Sequence, residues 1–149
     1  MAEPPRKNLP GKRSWARRCA AQALYQWQMT GQDPAIIASE FLADQDLLKA
    51  DPGYFRELVH ETPKCMTEID AALEPFLDRP LVQVDLVEQA ILRIGGYELM
   101  QRPDIAYRII INEAVELAKL FGAEQGHRFV NGVLDKLAHV IRPVECARR

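Results

Sequence analysis

The sequence predicts an all-α protein. Apolar residues recur at three- and four-residue spacing along nearly the whole chain. No segment sustains the strict alternation of a half-buried strand, and no repeat of 20 to 50 residues is present. Asp-Pro pairs and glycines punctuate the pattern where helices start and stop. At 149 residues, 48% of them hydrophobic, the chain is long enough to bury one proper core. A proline-marked stretch at 75–80 divides an N-terminal three-helix half, about 13–78, from a C-terminal helical half, about 79–142. Residues 1–12 read as a flexible basic arm and 143–149 as a C-terminal tail.

The first helix is expected from an N-cap at Ser14 to a stop at Gly31, with Ala16, Ala20, Ala23, Leu24 and Trp27 on its core face. Asp33-Pro34 opens a second helix, the acid as cap and the proline in the first turn. Asp51-Pro52 repeats the device for a third. Pro63 interrupts that helix, with Thr62 placed to recap a continuation to Leu77. A fourth segment, 83–100, is apolar around most of its circumference and is expected to be the buried central element. Gly95-Gly96 within it costs about 1 kcal/mol per glycine relative to alanine, a cost that close approach of a neighbouring helix explains. The fifth helix spans about 106–121 before Gly122, and the sixth about 124–141 before Pro143.

Charge is divided unevenly. Residues 1–18 carry Arg6, Lys7, Lys12, Arg13, Arg17 and Arg18 against Glu3 alone, a balance of +5 that leaves −7 for the rest of a chain totalling −2. A basic arm on an acidic body points to a polyanion met locally. Cys19, Cys65 and Cys146 form no CxxC pair, so neither a disulfide framework nor a zinc site is indicated, and a cytoplasmic setting fits. No stretch approaches the roughly 20 apolar residues of a membrane span, and no secretory signal pattern opens the chain.

Catalytic patterns are missing. Glu124 and His127 have Glu-x-x-His spacing, but a di-iron site needs a second copy and two further glutamates. Glu113 and Glu116 read as a solvated face rather than an acid/base pair. The histidines have no nucleophile arrangement around them, and no phosphate-binding glycine loop exists. No metal, cofactor or enzymatic role is expected.

Two features depart from simple amphipathicity. On the first helix the face opposite the core reads Arg18, Gln22, Tyr25, Met29, an aromatic–methionine patch with the chemistry of a protein contact. On the sixth helix Phe129 lies about 100° off the centre of the core stripe, in a row with Gln125, Gly132 and Lys136. A ring beside an amide, a lysine and a glycine can serve as a base-stacking shelf. Phe121, in the row of Ile110, Ala114 and Leu117, reads as core.

The stretches "RRCAAQALYQWQ", "VEQAILRIGGYEL", "INEAVELAKLFG" and "HRFVNGVLDKLA" closely resemble the NusB family of transcription antitermination factors, over about residues 13–142. The resemblance implies two three-helix-type subdomains packed at an angle and a non-enzymatic role. It implies pairing with NusE, a small-subunit ribosomal protein, and joint binding of the single-stranded boxA element of ribosomal RNA leaders. That pair nucleates an antitermination complex on RNA polymerase. Carried over by position, the resemblance assigns RNA contacts to Arg13, Arg17, Phe121, Gln125 and Phe129, and NusE contacts to Tyr25, Met29 and Glu88. For Phe121 it is the sole basis. Gln125 stands where the family often has aspartate, Arg18 where an acid is common, and Pro63 within a helix often uninterrupted. Two alternatives stay open, the NusB-like domain of a ribosomal-RNA cytosine methyltransferase and a protein-only adaptor, and so does the oligomeric state, with a homodimer that masks Tyr25 and Met29 as one option.

Overall fold

The computed structural model describes residues 11–44 and 49–148, and all regular structure among them is helical. The elements are α1 (Lys12–Thr30), α2 (Pro34–Leu42), α3 (Pro52–Lys64), α4 (Met66–Leu73), α5 (Leu86–Gln101), α6 (Tyr107–Phe121), α7 (Gly126–Ile141) and α8 (Pro143–Ala147). Of the expected arm, residues 1–10 lie outside the described residues, Arg6 and Lys7 with them, and Lys12 already belongs to α1.

Local signals place several boundaries. The Asp33 carboxylate accepts a hydrogen bond from the Ala35 N–H at 2.9 Å, and Asp51 accepts from Tyr54 N–H at 3.0 Å, so both Asp-Pro pairs cap helices as expected. Gly31 ends α1 with φ of 71° and donates its N–H to the Trp27 carbonyl, the left-handed cap that glycine adopts without strain. Asp85 caps α5 through the N–H groups of Val87 and Glu88, which moves its start from 83 to Leu86.

Other boundaries are set by long-range contacts. Ser14 does not cap α1: the helix begins at Lys12 after Gly11, and the Ser14 hydroxyl donates to Glu113 of α6 at 2.5 Å. Glu113 is accordingly half-buried rather than solvated. Pro63 is accommodated one residue from the end of α3, and the break falls at Cys65. Thr62 is no cap; it is fully buried, its Oγ1 without a hydrogen-bond partner. The expected tail is largely α8, with Cys146 buried. Arg142 fixes its approach, donating to the carbonyls of Glu98 and Leu99 near the end of α5, of Arg102 and Ile105 just beyond it, and to Glu145. Glu145 in turn accepts from the Tyr107 N–H at the start of α6.

α5 is the central element, buried continuously from Glu88 to Leu99. Its glycines are where neighbours come closest. A Cβ on Gly95 would stand 2.6 Å from Leu134 Cδ1 of α7, and one on Gly96 would stand 2.9 Å from Ile69 Cγ2 of α4. Ala16, Ala20 and Ala23 give α1 a similarly small-residue face against the core. Across that α1–α5 contact runs an ion pair with little access to water: Arg17, 3% exposed, grips Glu98, 1% exposed, through Nε and Nη2. The Tyr54 hydroxyl of α3 donates to the same carboxylate.

Candidate nucleic-acid interface

The two sequence anomalies sit at different places on the surface, linked by the first turn of α5. Tyr25 and Met29 line a cleft of about 570 Å³ together with Gln22, Phe41, Val87 and Phe121. Its wall is largely apolar, and Met29 is 57% exposed at its rim. Phe41 arrives from α2, Val87 from α5 and Phe121 from the end of α6. Phe121 is neither full core, as its periodicity reads, nor beside Phe129 among the lining residues; it is half-buried next to the Tyr25/Met29 patch.

Phe129 is half-buried one turn into α7, and the Arg79 guanidinium lies 4.8 Å from its ring centroid. Arg79 also meets Asp78 at 2.6 Å. Such a cation over a ring is worth about 0.5–1 kcal/mol at an exposed site. It leaves the ring flanked by a positive charge suited to a phosphate. Gln125, exposed, takes the N-cap position of α7 without a side-chain hydrogen bond to the helix.

Glu88 joins the two places. Its sequence position suggests the acidic exterior; the structure buries it to 5% exposure beneath the start of α7. A Cβ on Gly126 would lie 3.2 Å from the Glu88 carboxyl carbon, tighter than ordinary contact, so a larger residue there would make the carboxylate give by a few tenths of an ångström. Burial pushes the Glu88 pKa up, Asp85 adds to the rise, and Arg79 opposes it. Val87, its chain neighbour, faces the cleft. One turn of α5 therefore touches both the apolar cleft and the foundation of the Phe129 shelf.

The two arginines assigned to RNA have different surroundings. Arg13 is exposed, its guanidinium 4.8 Å from the Tyr54 ring centroid. Arg17 is turned inward, its guanidinium held by Glu98 with Glu113 3.6 Å away. Arg79, Phe41 and Val87 carry no signal in the sequence that singles them out. Arg79 lies in a loop between Pro75 and Leu81, where no helical period relates it to Phe129. Among the described residues no group of three or more His, Cys, Asp or Glu side chains is placed to hold a metal ion, and no helix is long and apolar enough to cross a membrane.

The NusB family model matches residues 14–139, most of the chain. The chain belongs to the NusB family. A transcription antitermination protein NusB of Nitrosococcus oceani is 53% identical over 141 residues, 95% of each chain. Its counterpart in Pseudomonas entomophila is 51% identical over 134 residues, 90% of this chain and 81% of that one. The NusB of T. maritima superposes with a TM-score of 0.75 at 28% identity, covering 93% of this chain and 92% of that one. A crystal structure of the antitermination factors NusB and NusE in complex with dsRNA contains a chain 26% identical, with a TM-score of 0.75, covering 85% of this chain and 96% of that one. The all-α NusB fold is thus established for this sequence.

Proposed function

We propose that this NusB-family protein is a transcription antitermination factor that binds boxA-type single-stranded leader RNA together with NusE. The pair then suppresses termination by RNA polymerase during ribosomal RNA transcription. The observation that carries the reading is the likeness, over 85% of this chain, to a chain in a crystal structure of NusB and NusE in complex with dsRNA. The geometry supports the same division of labour. Phe129 offers a ring for stacking unpaired bases, Gln125 a free amide beside it, and Arg13 an exposed cation at the root of the basic segment. Tyr25 and Met29 anchor NusE in the apolar cleft, while Phe121, assigned to RNA by the resemblance, lines that same cleft and is placed to meet RNA at its edge. Arg17, assigned to RNA by the resemblance, is instead 3% exposed and bound to Glu98, so it acts through the packing of α1 on α5. No step is chemical; the protein is an adaptor.

The test is transcription by bacterial RNA polymerase through a terminator placed after a boxA leader, with NusE present. Added protein should raise read-through, and scrambling boxA should abolish the gain. Equal read-through on both templates contradicts the proposal.

Glu88 makes a separate, opposite-signed prediction. Because burial raises its folded-state pKa, the ionised form destabilises the free protein, fully so above that raised value. The penalty vanishes below the ordinary carboxylate pKa of about 4.3, where both states are protonated. Glu88→Gln should therefore raise the melting temperature at pH 7 but not at pH 3. A basic NusE would lose a charge-assisted hydrogen bond, weakening binding about tenfold or more. A variant that melts lower at pH 7, or binds NusE normally, contradicts this assignment.

A further inference from the structure

We propose that Trp15, Arg18 and Lys49 form a second nucleic-acid contact, in which an unpaired base stacks on the indole and its phosphate lies between the two cations. The inference rests on the RNA-binding reading above and extends the RNA path to a site outside it. Trp15 and Arg18 lie one turn apart on α1, and Lys49 arrives from the stretch leading into α3. Arg18 Cζ and Lys49 Nζ each stand 5.1 Å from the Trp15 ring centroid. That stretch is pinned to α1, since the Asp51 N–H donates to the Lys12 carbonyl at 3.1 Å.

Two like charges on one half-buried ring repel each other, and an acidic body would ordinarily answer them with carboxylates. Here neither Arg18 nor Lys49 has an ion pair among the described residues. Lys12 and Arg13 add two more exposed cations on the same end of α1. A cationic groove around an aromatic platform is the arrangement by which proteins hold single strands without reading sequence. A phosphate between the two side chains would relieve their repulsion. Position favours RNA over an acidic peptide: Trp15, Arg18, Gln22, Tyr25 and Met29 follow one another at helical spacing, so a strand at Trp15 runs along α1 toward NusE in the cleft.

The test compares binding of fluorescently labelled single-stranded boxA RNA across a salt series for the unsubstituted protein and the Arg18→Gln/Lys49→Gln variant. The substituted side chains are polar and peripheral, and thermal melts verify folding. With one phosphate fewer neutralised, the log–log salt slope becomes shallower by about 0.7. In Trp27→Phe, which leaves Trp15 as the single tryptophan, added RNA should quench the emission. If the unsubstituted protein binds RNA while the variant keeps its slope and Trp15 emission stays constant, this site is refuted and the main RNA reading stands. If the unsubstituted protein binds no RNA, both fall.

Discussion

Replacing Arg17 with alanine should cost about 3–5 kcal/mol of stability, a large share of the roughly 5–15 kcal/mol that holds a domain of this kind together. The cost comes from what remains. Glu98 is 1% exposed and accepts from Arg17 Nε at 3.0 Å and Nη2 at 2.8 Å. Without the guanidinium its charge stays buried with the Tyr54 hydroxyl as its remaining hydrogen-bond donor. Arg17→Lys should recover only part of the loss, since one ammonium cannot reproduce the planar fork. Arg17→Met combined with Glu98→Gln should recover more, because it removes both charges and keeps an acceptor for Tyr54. Denaturant unfolding followed by helical circular dichroism measures all three. A loss under about 1 kcal/mol for Arg17→Ala contradicts the buried-pair account. The experiment also separates structure from recognition. If Arg17 serves only the fold, RNA binding by the folded fraction of Arg17→Lys keeps the salt slope of the unsubstituted protein.

Phe129→Ala should weaken boxA RNA binding by about 5- to 150-fold, the equivalent of the roughly 1–3 kcal/mol that stacking one base on an aromatic ring supplies. Phe129 is half-buried against the core edge, so some stability is lost as well, but α7 keeps its buried stripe of Val130, Val133, Leu134 and Leu137. Phe129→Leu distinguishes the two effects. Leucine restores most of the apolar packing but offers no ring face, so it should recover stability and not RNA affinity. The salt slope should stay constant in both, because stacking neutralises no phosphate. Recovery of RNA affinity by leucine would reduce Phe129 to a packing residue. Arg79 should respond differently: its removal should make the slope shallower, since its guanidinium stands 4.8 Å from the ring centroid, within reach of a phosphate beside a stacked base.

What the sequence made legible was local. Asp33-Pro34 and Asp51-Pro52 cap helices through their own next two or three residues, so no distant partner was needed to read them. Gly95-Gly96 announced a close approach, since two glycines in an apolar helix need a reason. Two of the departures share one physical origin, a partner far along the chain. Ser14 gave up capping for Glu113, 99 residues away, and Arg17 joined Glu98, 81 residues away. A signal for Arg17 did exist: it lies seven residues before Leu24, on the core side of α1, and a charge there must find a buried partner. Glu88 carried no such signal, because its burial depends on α7 beginning with a glycine directly above it. α8 was foreshadowed by Pro143, suited to a first helical turn, although its docking depends on the Arg142 contacts.

The central claim is that one protein surface joins RNA and NusE so that each strengthens the other's binding. Fluorescence anisotropy of labelled boxA RNA, titrated with this protein in the absence and presence of NusE, measures it most directly. The account predicts tighter RNA binding with NusE, the same enhancement of NusE binding by RNA, and affinity that falls as salt rises. RNA affinity unchanged by NusE, from a protein that binds both, would contradict it.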